Sequence, residues 1–251
     1  MSHILSLCLL FEFSDLNRLL EKYIMIAGPY YINLDHRTDR KDLVKNEFSR
    51  LGFSGIRVSA ISNTDGALGC IDSHVKILSS TPAYTPILEG EDETVINMNA
   101  GPKPTATWVC EDDIQFLVDR PTLELYIKEF MESDADILCL GYGSRKDEPY
   151  SPHLMRSYDL QTTSSYIVKD KFKGTLKGLW STVSACKHSN IKHPLQSDFK
   201  KLKVHKGDFW CADQCWKLLQ QSHVFVIPKT RCIIQRAGYS DIEKQYVDYR
   251  V

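Results

Sequence analysis

From residue 25 onward, apolar runs alternate with amphipathic stretches, and this alternation is the main structural signal in the chain. Residues 26–34 (IAGPYYINL) read as a buried strand that breaks into Asp35-His-Arg-Thr-Asp-Arg40. Residues 41–51 then place Leu43, Val44, Phe48 and Leu51 at helical spacing. A second short strand is expected over 56–61 after the Gly52-Phe-Ser-Gly55 break, and residues 66–70 read as a tight turn leading into a helix over 73–78. Residues 105–110 (TATWVC) form a third strand that ends in Glu111-Asp112-Asp113, and residues 121–133 a helix with Pro121 in its first turn. Residues 136–142 (DILCLGY) are apolar enough for a strand buried on both faces. Residues 79–104 read as a surface excursion and 143–157 as a polar loop. A strand over 164–168, a helix over 213–221 and a last strand over 224–227 complete the series.

This order predicts an α/β fold in a single domain, with a mostly parallel central sheet flanked by helices and ligands at the C-terminal ends of the strands. Ahead of it, Leu16, Leu19, Leu20 and Ile24 keep helical spacing, so residues 1–24 are expected to be an accessory helix or an extension, with the domain proper over 25–251. The apolar run 4–13 contains Glu12, lacks a basic lead and is too short to span a bilayer, so neither a signal peptide nor a transmembrane segment is expected.

Composition narrows the field. With 31 basic and 32 acidic residues the net charge is −1, which gives no uniform field for a polyanion, and 43% hydrophobic residues in 251 suffice for a core without staples. No basic tract interleaved with aromatics suggests nucleic acid, and Lys200-Lys-Leu-Lys203 reads as a solvated face. The eight cysteines are dispersed and mostly flanked by apolar residues, as buried thiols are. Cys211 and Cys215, with His205 and His223 nearby, lack the paired spacing of a zinc knuckle. No Asn-x-Ser/Thr acceptor occurs, and a reduced, cytoplasmic setting is expected.

The chemistry concentrates at the strand ends. Glu111, Asp112 and Asp113 follow a hydrophobic strand, and three like charges so close resist desolvation unless a cation joins them. A hard divalent ion, manganese or magnesium, suits such a cluster and also takes oxygens from a diphosphate. The plainer alternative is that Asp112 or Asp113 caps a following helix.

Three motifs in order, YINLDHRTDR at 31–40, the glycine-cysteine and serine-histidine pairs at 69–74 and EDD at 111–113, resemble glycosyltransferase family 25, the lipopolysaccharide and procollagen galactosyltransferase type. A weaker echo lies at 228–242, and the inserted stretch 79–104 departs from the family pattern. The resemblance implies a GT-A type fold and manganese-assisted, inverting transfer from a UDP-sugar to a glycan or glycoprotein, with galactose, glucose and xylose all open. It makes 25–142 the nucleotide-sugar half and 143–251 the acceptor half. Carried over by position, Asp113 is the first metal ligand with Glu111 and Asp112 beside it. Asn33, Leu34, Asp35, Arg37 and Arg40 lie against the nucleotide, and Ser73 and His74 near the donor.

Each assignment has a plainer competitor. Arg37 pairs with phosphate or merely bridges Asp35 or Asp39. His74 donates to a phosphate or ribose oxygen near a helix start, or is a packed core histidine. Asn33 contacts a base or only turns the strand end. Inverting transfer needs a base, and Asp213, just inside an expected helix start whose dipole keeps it ionised, is preferred, with Asp208 in reserve. Trp210, Trp216 and Gln235 are the acceptor-side candidates, against a core role for both tryptophans and an N-cap role for Asp208. A non-catalytic nucleotide-sugar binder is the main alternative. A nucleotidyltransferase would need a glycine-rich loop after the first strand, and Asp35 to Arg40 contains no glycine.

Overall fold

The computed structural model describes residues 26–80 and 104–249. The expected N-terminal helix and nearly all of the 79–104 excursion lie outside the described residues. In chain order the elements are β1 (Ile26–Asn33), α1 (Thr38–Arg50), β2 (Ile56–Ser59), α2 (Gly66–Ser79), β3 (Ala106–Glu111), β4 (Ile114–Phe116), α3 (Arg120–Glu132) and β5 (Ile137–Ser144). There follow β6 (Asp147–Pro149), β7 (Leu154–Ser157), β8 (Leu160–Lys169), α4 (Asp170–His188), α5 (Gln196–Lys201), α6 (Ala212–Cys215), α7 (Lys217–Gln220), β9 (Phe225–Pro228), β10 (Ile233–Gln235), β11 (Gly238–Ser240) and β12 (Gln245–Val247).

One large sheet runs β2-β1-β3-β8-β5-β9-β7-β6, with β10 bridging β5 and β4. Strands β2, β1, β3, β5, β9 and β10 point the same way, while β8 runs against its neighbours β3 and β5. The reversal has a local cause. Between β5 and β8 the chain makes only the β6–β7 hairpin and no crossover helix, so β8 returns antiparallel beside β5.

The apolar runs are explained by burial on both faces. In β5, Ile137 and Cys139 enter one core cluster and Leu138 and Leu140 the other. The first cluster lies under α2 and α4 through Ile71, Ile77, Leu176 and Trp180. The second lies under α1 and α3 through Val44, Phe48, Leu123 and Phe130. The result is three layers, helices on a sheet on helices. The described cysteines are free thiols, and no helix among the described residues is long and apolar enough to cross a membrane.

Several expectations need correction. Residues 66–70 are not a turn but the first turns of α2, capped by Asp65 accepting from Leu68 N at 3.1 Å. The glycines there serve packing: a Cβ on Gly69 would lie 2.6 Å from Ile61 O, and one on Gly66 2.7 Å from Ile242 Cα. Residues 170–188, for which the sequence pattern predicts no element, form the 19-residue helix α4. Its buried positions Phe172, Leu176, Leu179, Trp180 and Val183 keep helical spacing, but Gly174 and Gly178 weaken the pattern. The polar loop at 143–157 contains β6 and β7, and because every β6 residue is exposed it has no alternation to read. The helix expected over 213–221 is split into α6 and α7 at Trp216.

Candidate functional site

The site is assembled at the C-terminal ends of β1 and β3. Their parallel register pairs Ile32 with Glu111, so Asn33 falls beside Asp112. Asn33 Nδ2 donates to Asp112 Oδ2 at 2.8 Å and to Arg37 O at 2.9 Å, while its own Oδ1 accepts from Arg57 Nε at 2.9 Å. Asn33 therefore turns the strand end and clamps the acidic cluster.

No helix follows Glu111-Asp112-Asp113. The chain turns at the two aspartates into β4, which pairs antiparallel with β10 and sets Gln235 opposite Ile114. Gln235 Nε2 then donates to Asp113 Oδ2 at 3.0 Å, and Arg236 N to Asp113 O at 2.7 Å. Arg40 reaches over from α1, with Nη1 3.0 Å from Asp112 Oδ1 and 3.2 Å from Asp113 Oδ2. Asp112 thus has both oxygens engaged, whereas Asp113 Oδ1 is buried with no hydrogen-bond partner.

The three carboxyls differ in proton affinity. Burial, reinforced by the Glu111 charge, pushes Asp113 up to about 7, and burial also raises Asp112 against the pull of Arg40. Burial would raise Glu111 as well, but His74, Thr163 and Arg40 outweigh it and hold Glu111 below the usual carboxylate range. Thr163 Oγ1 donates to Glu111 Oε1 at 2.7 Å.

Two cavities, of about 190 and 360 Å³, meet here, and Glu111, Gln235 and Tyr249 line both. The first also exposes Leu34, Arg40, Asp112 and Asp113. The second holds Asp208, Asp213, Thr162 and His205. Asp213 Oδ2 accepts from Thr162 N and Gln214 Nε2, each at 3.1 Å. Thr162 makes its bond from a φ of 72°, a left-handed conformation that a β-branched residue adopts only under constraint. Asp208 is exposed and caps Trp210 N at 3.1 Å.

Of the other expected residues, Ser73 and His74 line the first cavity, whereas Asp35 and Arg37 line neither. Asp35 turns outward to Arg57 at 2.6 Å and Ser59 at 2.5 Å, away from both cavities. Arg37 pairs with Asp39 at 2.9 Å and Asp241 at 2.6 Å, so its guanidinium is spent on fastening the C-terminal segment. Ser73 is fully buried, with its hydroxyl donating to Gly69 O at 2.7 Å and accepting from Ile61 N at 2.8 Å. His74 sits in mid-helix with no exposed surface rather than at a helix start, because α2 begins at Gly66.

Trp216 is a core residue and not an acceptor platform. It stacks on Trp180 with centroids 6.1 Å apart and donates Nε1–H to Leu160 O at 3.1 Å. Trp210 packs against the same core and lines neither cavity. The helix dipole does not decide the ionisation of Asp213: burial raises its pKa despite its place in the first turn of α6. His223 lies on the Phe172 ring at 4.6 Å and faces Asp136 at 3.7 Å.

Thr162 and Thr163 stand in the polar run Gln161 to Ser165 near the start of β8, which marks neither of them out in the sequence. Tyr249 carried no sequence signal of its own.

No family model matches the sequence, and no curated protein does. Among solved structures, the chain is similar to A197 from STIV, with a TM-score of 0.38 and 11% identity over 87% of this chain and 91% of that one. It is similar to a glycosyltransferase involved in the glycosylation of the major capsid of PBCV-1, with a TM-score of 0.40 and 12% identity over 87% and 95% of the two chains. Apo UDP-glucose pyrophosphorylase gives a TM-score of 0.40 and 7% identity over 87% and 78%. Likenesses this distant leave the functional reading to the side chains themselves.

Proposed function

We propose that this chain is a divalent-cation-assisted glycosyltransferase of the GT-A type, moving a hexose or pentose (galactose, glucose or xylose) from a UDP-sugar to a hydroxyl of a glycan or glycoprotein with inversion. The observation that carries this reading is the meeting of two cavities at Glu111, one walled by the strand-end carboxylates and the other holding Asp208 and Asp213. The first cavity is the donor side and the second the acceptor side. Residues 25–142 supply most of the former and 143–251 most of the latter, with Gln235 and Tyr249 reaching back across.

The residues suit a hard cation. Asp113 Oδ1 is buried and unpartnered, and Glu111 adds a second oxygen donor, the ligand type that manganese and magnesium prefer. Asp112, tied to Asn33 and Arg40, contributes charge and rigidity rather than a free oxygen. When bound, the ion neutralises charge that grows on the departing diphosphate. Asn33, Arg40 and Gln235 hold the carboxylates in place beforehand, which lowers the reorganisation needed at the reacting bond. Asp213, oriented by Thr162 and Gln214, accepts the proton of the acceptor hydroxyl. Its raised pKa brings it nearer the neutral range where a base is most effective.

The test is UDP release from UDP-galactose, UDP-glucose and UDP-xylose with manganese, with and without acceptor sugars. Wild-type protein should release UDP from one of them, and Asp113→Asn should release none while melting as a folded protein. Equal turnover by that variant overturns the reading. One observation favours the alternative of a binder without turnover: Arg40 already gives Asp112 and Asp113 a permanent counter-charge. Tight calorimetric binding of UDP with no release over hours assigns that alternative.

A further inference from the structure

Beside the all-oxygen cluster lies a second set of donors of different chemistry. Cys70 and His74 are four residues apart on α2 and so share one face of the helix, which looks toward the end of β3. One donor atom each from Cys70, His74 and Glu111 lie within 4.8 Å of one another. In a tetrahedral zinc site the ligand atoms sit about 3.3–3.8 Å apart, as bond lengths of about 2.0–2.3 Å require, so small side-chain rotations close the set.

His74 points to a ligand independently. It is fully buried, and its Nδ1 lies 3.0 Å from the Tyr166 hydroxyl. Its Nε2 has no hydrogen-bond partner and lies 3.6 Å from Glu111 Oε1, beyond hydrogen-bond reach. A buried nitrogen without a hydrogen bond is costly, and the polar group it faces is the Glu111 carboxylate, itself a candidate ligand. Tyr166 is itself fixed, buried edge-on against Trp180 and Trp216 at 6.0 Å from each ring. A histidine held at one nitrogen by a rigid partner, with the other nitrogen free, is the arrangement by which proteins orient a metal-binding imidazole.

We propose that Cys70, His74 and Glu111 form a site for a borderline, thiophilic divalent cation of the zinc class. Thiol and imidazole donors select such ions over manganese or magnesium. On binding, the Cys70 thiol gives its proton to solvent and the thiolate takes the ion. All three residues line the first cavity, so a coordination position remains open toward it. Glu111 belongs to both donor sets, and an ion held here competes with the hard cation for that carboxylate.

The site stands independently of the transferase reading, and cobalt spectroscopy tests it without turnover. Cobalt chloride added to the reduced full chain should give a thiolate-to-cobalt charge-transfer band in the near ultraviolet, and zinc should displace it. Cys70→Ser should abolish the band, and Tyr166→Phe should weaken cobalt binding roughly 10-fold or more, as loss of an orienting partner does. Asp113→Asn should keep the band while losing sugar transfer, which separates this proposal from the preceding one. Circular dichroism establishes that each variant is folded, and Cys70→Ala replaces the serine variant if it is not. A wild-type spectrum without the band overturns the proposal, as does a band that survives in Cys70→Ser and vanishes in Cys211→Ser.

Discussion

The buried pair Asp159–Lys217 offers the sharpest test of how the wall of the second cavity is held together. Lys217 is fully buried at the start of α7, and its Nζ contacts Asp159 Oδ1 at 2.9 Å, His205 O at 2.6 Å and Gln161 Oε1 at 3.3 Å. Asp159 Oδ2 in turn accepts His205 N at 2.7 Å, so the pair ties α7, the entry to β8 and the edge of the second cavity. At an effective dielectric near 20, two charges 2.9 Å apart attract by roughly 6 kcal/mol, and desolvating both offsets most of that. Removing one partner is different, because it leaves the other charge buried. Lys217→Met keeps the apolar stem and strands the Asp159 carboxylate, which should cost about 3–5 kcal/mol. For a chain of this size that lowers the melting temperature by roughly 6–20 °C. Asp159→Asn combined with Lys217→Met should recover much of the loss, since no charge is then left behind. Urea unfolding of wild type, both single variants and the double variant gives the coupling directly. A single-variant loss below about 1 kcal/mol, the value of an exposed pair, would refute the reasoning, as would strict additivity in the double variant.

Two further outcomes are expected. Gly174 and Gly178 have nothing within 4 Å of an added Cβ, so alanine at either should stabilise α4 by about 1 kcal/mol. Gly69→Ala should destabilise despite the same gain in helix propensity, because its Cβ meets Ile61 O at 2.6 Å; a rise in urea midpoint for all three variants would contradict this. For Asp213, burial raises the folded-state pKa, so the folded protein holds that proton at pH values where the unfolded chain has released it. Its contribution is therefore present below the ordinary carboxylate pKa and is lost as pH rises through the folded value. The stability of Asp213→Asn relative to wild type should grow as pH rises from about 4, the ordinary carboxylate range, and a pH-independent difference in urea unfolding would count against the assignment.

Local pattern alone determined the alternation of strands and helices from β1 to β3, the double-sided burial of β5 and the acidic cluster at the end of β3, because periodicity and punctuation are properties of neighbouring residues. Tertiary structure decided which of those residues are available for chemistry. Asn33 occupies Asp112 across 79 residues of sequence, and Gln235 meets Asp113 across 122, each through a strand register set by long-range pairing. Other tertiary contacts spend Arg37 and Asp35 on the scaffold and sink Trp216 into the core. They also bring Cys70 and His74 to face Glu111, a meeting that no spacing along the chain encodes, because α2 and β3 come together only when the sheet closes around them.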